Sequence, residues 1–386
     1  MAVAAIAGLG MTGLSRRSTA PTVDLAATAI RLAVADAGLE LSDVDGLLVA
    51  TSPVAPPHRL DLTVARRAGL TDLRLASLIG AEGTGALQAI QLAALAVGTG
   101  SARAVACVFA DTPVGDDVGG AAAFGQSGIF SDDGELDAAY GAEGWVTAYA
   151  MAARRYLDRY ALPDSAFAPI AVAQRDWARL NPHAMVRAPL TVEEYLASRW
   201  VVEPFRLLDC ALPVNGGIAV VVVPANVAAE LRAPAAFLVG MGQGHPGRDR
   251  LTALALDGGG ATQARAAAFG TAGVGPDDVD ACEFYDPFSY VTLARLEDYG
   301  FCGRGEGADF VADGRLGPGG ALPTNTGGGH LSGFYLQGMT PVAEAVLQVR
   351  GQAGERQLPR RDLVLVTGEG GVLDHHACLL LSPRPS

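Results

Sequence analysis

The sequence predicts an α/β protein in which two related halves each lay helices against a sheet. Three observations carry the prediction. First, Ala37-Gly-Leu-Glu-Leu-Ser-Asp-Val-Asp45 returns as Ala272-Gly-Val-Gly-Pro-Asp-Asp-Val-Asp280, with Ala-Gly and Asp-Val-Asp in register. Second, each copy follows a helical pattern and precedes an apolar run of strand length, so a whole βα unit is repeated. Third, Leu87–Val97 contains only Ala, Leu, Ile, Gln and Val. A helix apolar on every side belongs at the centre of a molecule. The N-terminal half is expected over 1–234 and the C-terminal half over 235–386.

In order along the chain, 3–8 reads as a short apolar strand followed by the turn Gly10–Gly13. A helix is expected from about Val23 to Ala37, with Leu25, Ala26, Ala29, Leu32 and Ala33 at helical spacing and Gly38 as its stop. Strand Gly46–Thr51, a proline-rich loop to Arg59 and a short helix Leu60–Ala68 follow. Ser77–Ala86 is a glycine-containing stretch that opens the uncharged helix, and Ala102–Ala110 is a buried strand ending at Asp111. From Asp111 to about Pro204 the composition changes. Gly and Asp dominate 115–140, then Trp145, Tyr149, Tyr156 and Tyr160 fall at helical spacings. This stretch, 111–204, reads as an elaboration loop with its own helices, of the kind that shapes ligand pockets. Strand character resumes at Ile218–Val223, and Pro234–Gly242 restores the pattern of the N-terminus.

Composition narrows the function. Half of the 386 residues are hydrophobic and 18% are charged, which describes a well-buried globular chain. A net charge of −13 argues against nucleic acid and against an anionic membrane surface. All 28 basic residues are arginine, so a Schiff-base lyase, which needs a lysine amine, is excluded. The five cysteines lack CxxC spacing and mostly lie beside apolar runs, the pattern of reduced, buried thiols in a cytoplasmic protein. The six histidines form no metal motif, and His375-His376 would point to opposite sides of a strand. No apolar run reaches the ~18 residues of a membrane span. No metal and no permanently bound cofactor is expected.

Chemistry concentrates in the C-terminal half. Glu283-Phe-Tyr-Asp-Pro-Phe-Ser289 ends a strand and supplies Tyr285 and Asp286. Asn325-Thr-Gly-Gly-Gly-His330 is a glycine-rich turn that would let a ligand approach the main chain. A turn of this kind opening into a helix favours negative charge, and the helical pattern begins near Gly338, just after Tyr335. Asn325, Gly328 and Gly329, with Gly83 at the head of the uncharged helix, are the expected substrate contacts.

These segments resemble the C-terminal half of a thiolase, specifically the sterol-carrier-thiolase and lipid-transfer-protein branch. There the first segment carries an Asn-Glu-Ala-Phe-type motif and the second a Gly-His-Pro motif. Here the corresponding stretches are Tyr285-Asp-Pro-Phe288 and Phe334-Tyr-Leu336, so both changes give tyrosine. Further landmarks are Asn181-Pro, Thr191–Arg199, Asp209-Cys210, Gly300-Phe-Cys302 and Gly319–Thr326. The resemblance spans essentially the whole chain. It implies a thiolase fold, a five-layered αβαβα arrangement with two buried central helices, and a homodimer. The paired tyrosines resemble those of the cysteine-less thiolase-fold aldolases that shorten steroid side chains as CoA thioesters. Such aldolases work with a small separate partner carrying an OB-fold-like barrel and a zinc ribbon.

The departure from thiolase chemistry is equally legible. A thiolase needs a nucleophilic cysteine at the start of the N-terminal central helix, and no cysteine precedes Cys107. Without it the scaffold can still hold a CoA thioester and stabilise its enolate, because that requires hydrogen-bond donors. The expected activity is retro-aldol cleavage of a branched β-hydroxyacyl-CoA to a ketone or aldehyde and a shorter acyl-CoA. The resemblance makes Tyr285 and Tyr335 the catalytic pair, with His330 and Asp286 as candidate auxiliaries. A phenol with a pKa near 10 is a donor by default, so which tyrosine acts as base is open from sequence. Two other readings stay open: a non-catalytic acyl-binding or partner-stabilising subunit, and an aldolase run in the synthetic direction.

Overall fold

A computed structural model describes residues 2–17, 20–52, 58–115, 141, 144–246 and 258–385. The strands are β1 (Ala4–Met11), β2 (Gly46–Ala50), β3 (Leu75–Ile79), β4 (Val105–Asp111), β5 (Trp200–Val202), β6 (Phe205–Arg206), β7 (Gly216–Pro224), β8 (Ala236–Gly244), β9 (Ala281–Glu283), β10 (Val364–Gly370) and β11 (His375–Ser382). β5 and β6 form a small ribbon; the other nine make one mixed sheet in the order β3-β2-β4-β7-β1-β8-β11-β10-β9. Read from either end towards the middle, the pairings match. β2–β4 and β9–β10 are parallel, while β4–β7, β7–β1, β10–β11 and β11–β8 are antiparallel. The halves join through β1 and β8 at two residue pairs, Ala5↔Phe237 and Ile6↔Ala236. The arrangement is two-fold about that junction, with β3 as an extra edge strand on the N-terminal side.

The helices are α1 (Thr22–Asp36), α2 (Leu60–Ala68), α3 (Gly85–Gly98), α4 (Gly144–Tyr160), α5 (Ala168–Arg179), α6 (Val192–Ala197), α7 (Ala225–Glu230), α8 (Gly259–Ala272), α9 (Ser289–Asp298), α10 (Gly307–Ala312) and α11 (Met339–Arg350). α1 packs on β1, β4 and β7 from outside, and α8 packs on β8 and β11 in the same way. α3 and α11 lie between the halves, each touching strands of both. Side chains sort by the two-residue period of a strand. Ala4, Ile6, Leu48, Val220, Val222, Val364, Val366, Leu379 and Leu381 face the central helices. Their neighbours Ala5, Ala7, Leu47, Val221, Leu365 and Leu380 face the outer ones. Helix, sheet, central helices, sheet and helix are the five layers of the thiolase architecture.

The repeated nonapeptide does the same work twice. Gly38 and Gly273 both end a helix at φ 70°, the left-handed geometry that glycine adopts without strain. Asp43 and Asp278 each accept a backbone N–H three residues upstream, at 2.9 and 2.8 Å. Val44 and Val279 are buried. Asp45 then accepts the N–H of Arg103 at 2.7 Å, and Asp280 that of Asp362 at 2.7 Å. Each aspartate thereby pins the strand that will lie parallel to its own.

Three expectations change. Leu75–Ile79, whose last three residues were expected to belong to the stretch that opens the uncharged helix, is the edge strand β3, parallel to β2; its half-buried, short run lacked the apolar continuity of the other strands. The uncharged helix α3 is not enclosed all round, since Leu92 and Leu95 are 37% and 54% exposed. The glycine turn does not open the second central helix. It forms a π-type turn, Gly329–Gly333, and the chain then runs extended before α11 starts at Met339. Of the elaboration loop, the Gly/Asp-rich 116–140 lies outside the described residues. No helix among the described residues is long and apolar enough to cross a membrane.

Candidate active site

Two segments of the C-terminal half and one of the N-terminal half converge between the central helices. After β9 the chain is held by Asn325, whose Oδ1 accepts the Phe284 N–H at 2.6 Å and whose own N–H reaches Cys282 O at 2.8 Å. That grip, made by an asparagine at φ 54°, fixes Tyr285 at the strand's end. Tyr335 is fixed separately: its N–H donates to Leu212 O at 2.8 Å. The two phenol oxygens then lie 2.8 Å apart. Tyr285 is 6% exposed, and Tyr335 is half-buried, so the pair faces a way in. Burial pushes both phenols up, and for Tyr285 the neighbouring Tyr335 adds to the shift. Both are therefore hydrogen-bond donors at neutral pH.

His330 sits edge-on to both rings, 4.9 Å from each. Its Nδ1 accepts the Asp286 N–H at 3.2 Å, and its Nε2 stands 3.0 Å from Gln337 O, to which it donates. Both ring nitrogens are thus held by main chain, which fixes the neutral Nε2–H form. Burial lowers its pKa to about 3, so it stays uncharged. Asp286 lies against His330, its Oδ1 3.2 Å from the ring Nδ1. Its Oδ1 accepts the His330 N–H at 3.0 Å, and burial raises its carboxyl to about 8. Its Oδ2 lies near the Gln174 and Asn325 amides without reaching hydrogen-bond geometry with either. These two auxiliaries shape the site and do not touch the phenol oxygens through a polar atom.

Of the four residues expected to contact substrate, Gly83, Asn325 and Gly328 are buried and Gly329 is half-buried. Asn325 is 1% exposed. A Cβ on Gly328 would meet Ala178 Cβ at 2.7 Å, and one on Gly329 would meet Gln174 Oε1 at 2.4 Å. The glycine turn is therefore a close approach to α5. A Cβ on Gly83 would stand 2.0 Å from Glu369 O and 2.3 Å from Tyr285 Cζ. Gly83 brings the head of α3 directly against the Tyr285 ring, which is how the N-terminal half reaches the site.

That same turn holds residues the sequence reading passed over. Glu82 adopts φ 49°, unusual for a residue with a side chain, and is exposed. Its Oε2 accepts the Gly371 N–H, while Tyr149 of α4 donates to Gly371 O at 2.9 Å. Across the site Asp111, 2% exposed, accepts from Ser52 and from the Thr112 N–H at 2.9 Å, and burial lifts its carboxyl to about 6. No cysteine joins this group. Cys107, Cys282 and Cys378 are buried, and burial holds the partly buried Cys210 and Cys302 thiols up near 12.

A chain 37% identical over 386 positions, covering 95% of both proteins, is a steroid side-chain-cleaving aldolase of Thermomonospora curvata. This chain belongs to the thiolase superfamily. Its branch is that of the steroid side-chain-cleaving aldolases. A second relative in the branch, 35% identical with 96% and 97% coverage, is the 17-hydroxy-3-oxo-4-pregnene-20-carboxyl-CoA lyase of Mycobacterium tuberculosis. The Thiolase C-terminal domain-like family model matches residues 249–383. Among solved structures the Ltp2-ChsH2(DUF35) aldolase superposes with a TM-score of 0.84 at 36% identity, covering 98% of this chain and 97% of the other. The human mitochondrial 3-ketoacyl-CoA thiolase, at 13% identity and a TM-score of 0.71, shares the thiolase fold. The thiolase-superfamily site here brings together Tyr285, Tyr335 and His330 from the C-terminal half. Glu82 and Tyr149 carried no motif that sequence could have flagged, although Tyr149 lay on a recognisable helix.

Proposed function

We propose that the chain is a carbon–carbon lyase that cleaves a branched β-hydroxyacyl-CoA by retro-aldol chemistry, working without a cysteine or lysine nucleophile. The observation that carries this reading is the 2.8 Å contact between the Tyr285 and Tyr335 hydroxyls at the meeting point of the two halves. In such a reaction the β-hydroxyl loses its proton and the Cα–Cβ bond breaks. A ketone or aldehyde leaves, and the thioester enolate takes a proton at Cα. Two phenols kept protonated by burial suit the second half of that sequence, as donors to the enolate oxygen or carbon. His330, neutral and pinned at both nitrogens, holds the rings at their angle. CoA enters as part of the substrate.

The substrates named for the relatives point to a steroid side chain. The DUF35 component of the solved aldolase supports a separate OB-fold and zinc-ribbon partner for this chain too. A homodimer is proposed alongside it; exposed Leu92 and Leu95 on α3, beside the free edge of β3, are consistent with a covered face. The test is cleavage of 17-hydroxy-3-oxo-4-pregnene-20-carboxyl-CoA by the chain co-produced with its DUF35 partner, following release of a shorter acyl-CoA. Turnover that Tyr285→Phe and Tyr335→Phe each abolish is the expected result. A folded chain that binds the thioester but never turns it over would instead be an acyl-binding subunit.

A further inference from the structure

His245 follows β8 and His375 opens β11, 130 residues apart in the chain, so no spacing in the sequence links them. The antiparallel ladder does. His376 pairs with Gly244, which sets His375 and His245 opposite each other one step further along. Directly opposite residues of an antiparallel pair carry their side chains on one face. Both histidines are exposed, and their Nδ1 atoms lie 2.9 Å apart with the rings tilted at 59°. Two nitrogens that close either share one proton or converge on a cation.

Which nitrogen of His245 carries the proton follows from hydrogen bonds that start in the core. Gln91 of α3, 4% exposed, donates its amide N–H groups to Gly242 O and Cys378 O at 3.1 and 3.0 Å, and a main-chain carbonyl can only accept. Its Oε1 is therefore the atom turned to Gln243, and it takes the Gln243 Nε2 donor. Gln243 then presents Oε1 to His245. That oxygen also can only accept, so Nε2 of His245 carries the proton, 2.8 Å away. The Nδ1 that faces His375 keeps its lone pair. A ring held by one N–H on an amide oxygen, with its other nitrogen turned outward as an acceptor, is the arrangement by which proteins orient a metal-binding histidine.

We propose that His245 and His375 form a site for a late first-row divalent metal ion, Cu²⁺ or Ni²⁺ ahead of Zn²⁺, with His245 oriented through Gln243 and Gln91. Two imidazole nitrogens bound at about 2.0–2.1 Å on adjacent corners of a square or octahedron stand about 2.9 Å apart, whereas a tetrahedron sets them about 3.3 Å apart. The observed 2.9 Å matches the first arrangement. Among the described residues no group of three or more His, Cys, Asp and Glu is placed to hold a metal. Water therefore fills the remaining positions, and the affinity is micromolar. An ion here ties β8 to the start of β11, beside the turn whose Gly371 receives the Tyr149 hydroxyl. The inference is independent of the lyase reading.

Isothermal titration of the full chain, free of any purification tag, with Ni²⁺ and with Cu²⁺ tests the site. Binding of a single ion per chain and a Tm that rises with the ion are the expected results. His245→Ala and His375→Ala should each weaken binding roughly 100-fold, the loss of one of two tethered ligands, and remove the metal-dependent rise in Tm. Their metal-free Tm should match the wild type, because both side chains are exposed. Gln243→Leu keeps both rings and should weaken binding about tenfold, the usual loss when the group behind a ligating histidine is removed. Cu²⁺ on the wild type should give the electron-spin-resonance pattern of two nitrogen ligands. Binding that survives in either histidine variant, a Gln243→Leu affinity equal to that of the wild type, or no binding below millimolar Ni²⁺ would overturn the assignment.

Discussion

In the N-terminal half β2 runs out into Thr51-Ser52 and α3 is entered through Glu82-Gly83; in the C-terminal half β9 runs out into Tyr285-Asp286 and α11 is entered through Gln337-Gly338. Glu82 and Gln337 adopt φ of 49° and 47°, each followed by a glycine packed against the opposite half. The elbows correspond; the side chains do not. Gln337 uses its carbonyl to hold His330 at 3.0 Å and is 4% exposed, whereas Glu82 opens outward. At the other end of the same strands the halves agree even in hydrogen bonds, as Asp43 and Asp278, and Asp45 and Asp280, show. A duplicated scaffold has kept its packing instructions at the closed end and diverged where the strands deliver side chains to the site.

The central helices differ in a related way. α3 carries no charge, and its buried Gln91 ties the halves together by donating to Gly242 O at 3.1 Å and Cys378 O at 3.0 Å. α11 carries Glu344, which is bound by Arg356 at 2.8 and 2.9 Å and by Thr326 at 2.9 Å. The pair therefore stays inside the C-terminal half. A buried ion pair of this kind is tolerated because its hydrogen bonds are satisfied, and removing one partner alone is expensive.

The largest expected effect tests the open end. Tyr285→Phe or Tyr335→Phe should reduce acyl-CoA release by ~10²–10⁴-fold, the usual range for a lost general acid, with little change in Tm. A loss confined to one tyrosine would show that the pair does not act together. Next comes the contact between halves. Gly83→Ala places a Cβ 2.3 Å from Tyr285 Cζ and 2.0 Å from a main-chain oxygen that cannot yield. It should lower stability by ~1–3 kcal/mol as overpacking does, and turnover should fall as well; urea unfolding beside the cleavage assay measures both.

The closed end offers a direct comparison of the copies. Asp45→Ala strands the N–H groups of Arg103 and Ala104, and Asp280→Ala those of Asp362 and Leu363. Each should cost ~1–3 kcal/mol, and Asp45 more, since it is 3% exposed and also holds the Arg103 guanidinium at 3.0 Å. Equal losses would mean that burial makes no difference to this motif. The smallest effect is a pH term. Asp286, raised to about 8 by burial, keeps a proton that the unfolded chain releases, so its contribution is full at low pH and is lost as pH rises towards 8. His330, depressed to about 3, works in the opposite sense, losing stability as pH falls below its unfolded value of 6.5. Of these two groups it is Asp286 whose contribution falls between pH 6.5 and 8, by up to ~2 kcal/mol. Asp286→Asn should lessen the fall in urea-unfolding stability across that window, the buried Glu283 carboxyl, also raised by burial, accounting for what remains; an unchanged slope would refute the raised Asp286 carboxyl.

From sequence alone the repeat, the strand and helix order and the tyrosine pair were legible, because periodicity and a duplicated motif are local properties that survive in one dimension. Tyr285 and Tyr335 could be paired on paper because both sit at positions where the family places its chemistry. What distance in the chain concealed was decided in three dimensions. Gly328 and Gly329 turned out to admit α5, and Gly327 the Glu344 side chain of α11, since close approach is a property of whatever arrives, and sequence does not say what that is. His330 was silenced as a proton carrier by two main-chain groups, and Gly83 at the head of α3 was set against the Tyr285 ring, more than 200 residues away. Such roles depend on which atoms lie within 3 Å, and only the packing of one half against the other determines that.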